Sequence, residues 1–226
     1  MEDKMTRVFI GILLIANLLC LGLMSCTVES FTEDNSTIIN GVKLKYINEI
    51  DIHQVYEHSH FEVSYGTGST NLLGVEDSVL DISVQYREYS PSDASIYIED
   101  GVIKAKSISG KPVSIFQVIG KVPQSTNLRI KTGTGDITVS DMGSCNEISI
   151  NTGTGDIEIS KTNVNKLRLS SGTGSITLNH INGNSGKVST GTGNIIINNS
   201  SISRRDFSVG TGKIIENDDQ EKLMLK

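Results

Sequence analysis

Two aspartates stand at matching places in a repeated stretch of the sequence and could form a pair of carboxylates. Asp136 and Asp156 each follow a Gly-Thr-Gly triplet, so stacked repeats would place them about 5 Å apart. This separation suits a retaining glycosidase, and two carboxylates can also bind Ca²⁺. A solvated polar position after a glycine turn explains the same residues, because later repeats carry Ser175, Asn194 and Lys213 there. We therefore assign no catalytic residue and no cofactor.

The segment 53–60 holds the densest group of possible metal ligands. His58 and His60 would point to one face of a strand, with Glu57 or Glu62 nearby and His53 a few residues upstream. A polar hairpin would produce the same string of residues. Metal binding by this cluster stays open, and no metal ligand is assigned.

The three cysteines have different expected roles. Cys20 and Cys26 lie in or next to an apolar N-terminal run, which leaves Cys145 alone in the remainder of the chain. An internal disulfide is then impossible in a processed monomer. No histidine accompanies Cys145, so a small, partly buried residue at a bend is a better interpretation than a nucleophile.

A glycine repeat predicts the fold that positions these residues. From Gly133 onward, Gly-Thr-Gly begins at five places separated by 20, 19, 19 and 19 residues. A period of this size is typical of a solenoid, in which each repeat forms one coil and stacks on the next. Glycine adopts positive φ without steric cost, so we expect both glycines of each triplet to form a structural corner. These corner residues are Gly133, Gly135, Gly153, Gly155, Gly172, Gly174, Gly191, Gly193, Gly210 and Gly212.

Apolar residues recur at fixed distances from each triplet. The residue three before the first glycine and the residue four after it are apolar in all five repeats, as at Ile150 and Ile157. Alternation with polar residues indicates half-buried strands, and repeated glycines disfavour a helix. The sequence therefore predicts an all-β fold, a β-solenoid with 19–20 residues and two or three short strands per coil. The second apolar column comprises Ile137, Ile157, Ile176, Ile195 and Ile214.

The repeat also suggests domain boundaries. Regular coils occupy residues 126–217, and a single upstream Gly66-Thr67-Gly68 indicates that residues 41–125 form irregular coils of the same β-helix. An independent small β-sandwich is the alternative for that segment. Residues 218–226 form an acidic tail that we interpret as a cap, because charges at an open sheet edge oppose pairing with another copy.

The N-terminus resembles a bacterial lipoprotein signal. A basic start precedes the apolar run 8–24, which ends in Leu23-Met24-Ser25-Cys26. This pattern predicts a signal peptide at 1–25, lipidation of Cys26 and a flexible polar tether over 26–40. An uncleaved anchor helix and ordinary secretory cleavage are the alternatives. The expected location is the cell envelope, with the lipid in the outer membrane and the head on either face.

The repeat motif itself resembles a known group of proteins. The pattern apolar-x-apolar-x-Thr-Gly-Thr-Gly-Asp-Ile in Leu128–Ile137 and Ile148–Ile157 is similar to bacterial "putative adhesin" families with β-helical head domains. These include the GIN-type head domain of "putative auto-transporter adhesins", and the likeness covers about residues 41–217. The resemblance implies a right-handed, single-stranded parallel β-helix, often carried on a lipoprotein. The family has no established catalytic residues, so none is transferred.

Two functions are consistent with these features. The favoured one is a lipid-anchored, non-catalytic binding or adhesion module whose ligand is a glycan or a protein on a cell surface. The alternative is a polysaccharide lyase or glycoside hydrolase, because such enzymes also use parallel β-helices. The chain has no Trp and only 5% aromatic residues, which disfavours sugar stacking. Its net charge of −6 gives no general basic surface for nucleic acid.

Overall fold

The protein is built from β-strands throughout the part of the chain that the structure describes. The computed structural model describes residues 28–217, which form sixteen strands of one continuous sheet and no helix. Within this range, no helix is long and apolar enough to cross a membrane. The prediction of an all-β solenoid is confirmed, and the solenoid has about five turns. The strands are β1 (Val28–Ile39), β2 (Val42–Val55), β3 (His60–Thr67), β4 (Ser69–Val75), β5 (Val79–Glu88), β6 (Ala94–Glu99), β7 (Val102–Ser107), β8 (Ser114–Pro123), β9 (Asn127–Thr134), β10 (Ile137–Ser140), β11 (Ser144–Thr154), β12 (Ile157–Thr173), β13 (Ile176–Thr192), β14 (Ile195–Asn198), β15 (Ser201–Thr211) and β16 (Ile214–Asn217).

The regular coils stack as parallel strands in register. β12 and β13 each trace most of one coil, and every pair between them joins residues 19 apart, such as Ile157 with Ile176. The first four members of the predicted isoleucine column are fully buried at 0% exposure. The fifth member, Ile214, is 44% exposed, so its predicted burial is wrong. The reason is that β16 pairs only with β14 and has no described strand on its outer side.

The two glycines of each triplet have different roles. Gly155 has a φ of +143°, as expected for a corner, but Gly153 is not in the left-handed region and belongs to β11. A Cβ on Gly153 would lie 2.5 Å from the carbonyl oxygen of Gly133 in the preceding coil. The first glycine is therefore needed because the backbones approach closely. Positive φ was wrongly expected at Gly133, Gly153, Gly172, Gly191 and Gly210.

Another bend follows each short isoleucine strand, at a place that no glycine marks. One non-glycine residue per coil adopts positive φ there, with values from 46° to 57°. Asn, Asp and His tolerate this conformation better than most residues, whereas Lys161 has no such advantage. The alternation of buried and exposed residues also restarts between Val164 and Leu167, so each coil has three segments. The positive-φ residues are Asp141, Lys161, His180 and Asn199.

The N-terminal half supplies one coil and a set of antiparallel strands. β3 and β4, joined through Gly66-Thr67-Gly68, pair in parallel with β9 and β10. In contrast, β5 runs antiparallel to β2 and β8, and β6 and β7 form an antiparallel hairpin. Within the predicted irregular coils over 41–125, β8 stacks in parallel on β4 as a coil would, but β2, β5 and β6 pair only antiparallel, because the chain reverses direction there. A separate sandwich does not form, since the same sheet and the same apolar core include both halves.

The predicted flexible tether over 26–40 is corrected for residues 28–39. This segment is β1, which pairs antiparallel with β2. The connecting Asn40 and Gly41 have φ values of 49° and 77°, the left-handed pair that a type I′ hairpin turn requires. The predicted signal peptide 1–25, the lipidated Cys26 and the tail 218–226 lie outside the described residues.

At the C-terminal end, an ion pair replaces two members of the buried columns. Arg205 follows Leu167 and Gly186 in one column, and Glu216 follows Ile197 in another. Arg205 Nη1 donates to both carboxylate oxygens of Glu216 at 3.1 Å. The last coil therefore presents charge where the inner coils present hydrocarbon.

Candidate functional site

The two aspartates that could have formed a catalytic or calcium-binding pair are engaged by the backbone. Asp136 Oδ1 accepts a hydrogen bond from Asp156 N at 2.8 Å, and Asp156 Oδ1 accepts one from Ser175 N at 2.7 Å. Asn194 Oδ1 repeats this contact with Lys213 N at 3.0 Å. The column ties each corner to the next coil, so its side chains act as structural acceptors and are more than solvated positions.

The three histidines of segment 53–60 have separate surroundings. His53 Nδ1 lies 3.4 Å from Asp81 Oδ1, and the ring of His58 contacts the ring of Tyr56 edge-on at a centroid distance of 5.3 Å. The carbonyl oxygen of His60 accepts a hydrogen bond from the Tyr56 hydroxyl at 2.6 Å. In the described part of the chain, no three His, Cys, Asp or Glu side chains gather as a possible metal site.

Cys145 lies in the core of the solenoid. It is 3% exposed, and its thiol donates a long hydrogen bond of 3.6 Å to the carbonyl oxygen of Asn163. Burial raises the pKa of the thiol to about 11. The group therefore stays protonated at neutral pH, when a cysteine nucleophile would have to be a thiolate.

Rows of asparagine side chains run along the outside of the coils. In one row, Asn165 Nδ2 donates to Asn146 Oδ1 at 2.9 Å, and Asn184 Nδ2 donates to Asn165 Oδ1 at 2.8 Å. In a neighbouring row, Asn182 Nδ2 donates to Asn163 Oδ1 at 3.2 Å. Each amide has two N–H groups and two oxygen lone pairs, and a row uses at most one of each. Because all five side chains are exposed, the remaining groups can bind a ligand.

A groove of about 500 Å³ lies between these two rows. Val164 and Gly183 lie in adjacent coils between the rows, in a column that continues with the buried Ile202 and faces the core. We call this feature the Asn groove and define it by Asn146, Asn163, Asn165, Asn182 and Asn184. Its length spans several coils, so it offers an extended polar surface for a long ligand.

Basic side chains gather on the adjoining segment of the same coils. Lys166 and Arg204 stand in one column, separated by Ser185, at the edge of a second cleft of about 300 Å³. Neither has an ion-pair partner among the described residues. Lys166 follows Asn165 directly in the chain, so this surface and the Asn groove are neighbours. We call it the basic side and define it by Lys166, Arg168, Lys187 and Arg204.

A family match identifies the domain. The sequence model of the Toastrack DUF4097 family matches residues 48–214, which is most of the chain. The chain belongs to this family. A search of the curated proteins finds no match to this Toastrack chain.

Solved structures resemble this Toastrack domain at low similarity. One is the crystal structure of a "putative cell adhesion protein" from Clostridium sporogenes, with 10% identity, a TM-score of 0.36, and coverage of 87% of this chain and 100% of that one. Another is that of a "putative adhesin" from Parabacteroides distasonis, with 12% identity, a TM-score of 0.36, and coverage of 86% and 98%. Likeness at this level transfers no function.

Sequence reasoning missed the Asn groove of the Toastrack domain, although a signal was present. Asn146, Asn165 and Asn184 recur at the coil period of 19 residues. An alignment of the repeats on inward-facing apolar positions does not single out these residues, because they are exposed on the outside of the coils. The net charge of −6 likewise concealed the basic side, whose residues come together only when the coils stack.

Proposed function

We propose that this Toastrack protein is a non-catalytic binding or adhesion module of the bacterial cell envelope, with a glycan or a cell-surface protein as its ligand. The Asn groove is the observation that carries this proposal, because its exposed amides keep donors and acceptors for a partner. Coil stacking repeats each amide at about 4.8 Å. A polymer can therefore make the same weak contact several times, and such multivalency raises affinity without any single strong contact.

We further propose that the module is attached to the outer membrane by a lipid on Cys26. The sequence Leu23-Met24-Ser25-Cys26 at the end of an apolar run supports this anchor, as does the resemblance to GIN-type heads on lipoproteins. β1 begins at Val28, only two residues after Cys26. An acylated Cys26 would thus hold the head close to the membrane surface.

The residues with potential for chemistry support binding over catalysis. Asp136 and Asp156 accept hydrogen bonds from the backbone of the next coil, and Cys145 is buried as a thiol. Among the described residues, nothing specifically favours the lyase or hydrolase alternative.

The proposal is tested by following the full chain in cells and in solution. Metabolic labelling with palmitate should mark the protein, and Cys26→Ala should abolish the label. The full chain, purified in detergent, should be retained by immobilised glycans or by whole cells without releasing products. Product release that Asp136→Asn abolishes would support the enzyme alternative and overturn the binding proposal.

A further inference from the structure

The basic side carries an excess of positive charge on an acidic chain. Arg168 contacts Glu147, and Lys187 lies 3.5 Å from Asp206, so these two cations are paired. Lys166 is next to Glu147 in strand register, but the Glu147 carboxylate is bound by Arg168. Lys166 and Arg204 therefore remain available to an anion from solution.

The available cations and the amides flank the same path along the solenoid. Lys166 and Arg204 are two coils apart in one column, or roughly 10 Å at the usual strand spacing. Asn165 and Asn184 directly precede Lys166 and Ser185 in the chain, which places the amide row beside this column. A ligand running along the long axis would meet amides on one flank and cations on the other.

This combination of groups suits an acidic sugar polymer. Side-chain amides donate to and accept from hydroxyl groups, whereas Lys and Arg form charge-assisted hydrogen bonds with carboxylates. A coil spacing of about 4.8 Å is comparable with the length of one sugar unit. Single-stranded nucleic acid would require aromatic side chains for base stacking, and none lines the Asn groove.

We infer that the Asn groove and the basic side together bind an acidic polysaccharide, a polymer of sugars that carry carboxylate groups. The chain of sugars lies along the solenoid axis, with its hydroxyl groups on the Asn groove and its carboxylates on Lys166 and Arg204. This inference rests on the proposed function as a binding module and assigns that module a ligand class and a surface.

Three polymers separate sugar recognition from simple charge attraction. Polygalacturonate offers sugars and carboxylates, its methyl-esterified form offers the same sugars without the charge, and polyphosphate offers charge without sugars. Binding of the full chain in detergent should be strongest for polygalacturonate and weaker by about tenfold or more for each of the others, because each lacks one set of contacts.

Matched variants test the two surfaces separately. The double variant Lys166→Ala with Arg204→Ala should weaken polygalacturonate binding about tenfold or more and leave binding of the ester unchanged. Lys104→Ala with Lys106→Ala, two exposed cations on β7, is the control and should change neither.

The amide row has its own control at the end of another row. Asn184→Ala should weaken binding of both polygalacturonate and the ester. Asn217→Ala should affect neither, although Asn217 Nδ2 donates to Asn198 Oδ1 at 2.9 Å in the same manner as Asn184 to Asn165. The comparison controls for any general effect of shortening a row.

The outcomes distinguish this inference from the broader proposal. The inference would be overturned if Lys166→Ala with Arg204→Ala weakened polygalacturonate binding no more than the control Lys104→Ala with Lys106→Ala. It would also be overturned if polyphosphate bound as tightly as polygalacturonate. Retention on whole cells or other glycans would then still support a binding module. If the chain is retained by none of these polymers, glycans or cells, both the inference and the proposed function fail.

Discussion

Replacing Gly153 by alanine should destabilise the solenoid through a clash between two backbones. The added Cβ would lie 2.5 Å from the carbonyl oxygen of Gly133, whereas ordinary contact begins at 3.4 Å. The difference is about 0.9 Å. Because Cβ and the carbonyl oxygen are both fixed to the main chain, no side-chain rotation can relieve the clash, and the two coils must separate locally.

The cost follows from the hydrogen bonds beside Gly153. Gly135 N donates to the carbonyl oxygen of Thr154 at 2.7 Å, and a separation of about 0.9 Å would stretch this bond beyond a useful length. Losing one such bond costs about 1 kcal/mol. Overpacking adds about 1 to 3 kcal/mol. We therefore expect the free energy of unfolding of Gly153→Ala to fall by about 2 to 4 kcal/mol, as measured by urea unfolding followed by circular dichroism.

Gly66→Ala is the matched control. Gly66 is the first glycine of the Gly66-Thr67-Gly68 coil, but a Cβ there would have no atom within 4 Å, and its φ is not in the left-handed region. The change should therefore alter the free energy of unfolding by no more than about 0.5 kcal/mol. Similar losses in both variants would refute the explanation by close backbone packing.

Three further predictions concern the core and a buried loop contact. Ile157→Ala should lower the free energy of unfolding by about 2 to 5 kcal/mol, because Ile157 is fully buried. Glu158→Ala should stay within about 0.5 kcal/mol, and equal sensitivity in urea unfolding would contradict the strand register. Cys145 should resist alkylation at pH 8 until the protein unfolds, since burial raises its thiol pKa to about 11; peptide mass spectrometry would reveal a faster reaction. Burial alone would raise the pKa of Asp93, but hydrogen bonds from the Ser109 side chain and backbone, the Ser107 hydroxyl and the Ile108 backbone hold it below its ordinary value. Asp93 should therefore stabilise the fold above about pH 3.9 and lose this effect as pH falls through its lower folded pKa; acid unfolding of Asp93→Asn that shows the parent's pH dependence would disprove this.

The sequence reveals the regular coils because each coil contributes the same residue types at the same offsets. The burial of Ile137, Ile157, Ile176 and Ile195 follows directly from that period. The antiparallel pairing of β2 and β5 has no such signal, since residues such as Ile52 and Ile82 meet through long-range packing. The hairpin between β1 and β2 could have been predicted from Asn40-Gly41, a common type I′ turn sequence.

Part of the candidate surface could be predicted from the same repeat period. The period that predicts the isoleucine column also predicts the asparagine rows, provided that outward positions are aligned as carefully as inward ones. The steric role of Gly153 was less accessible, because a sequence gives no distance between the backbones of adjacent coils. A repeated glycine in a sequence usually indicates positive φ, and here that reason holds only for the second glycine of each Gly-Thr-Gly triplet.

The Arg205–Glu216 pair at the end of the described coils has a consequence for how such proteins change in length during evolution. A second molecule that extended the sheet from this end would have to remove water from both charges, which is costly. The charge pair therefore disfavours end-to-end pairing at this edge. Duplication of one 19-residue unit upstream of Arg205 would lengthen the rod by about 4.8 Å, preserve the terminal charge pair, and add one more rung to the asparagine row.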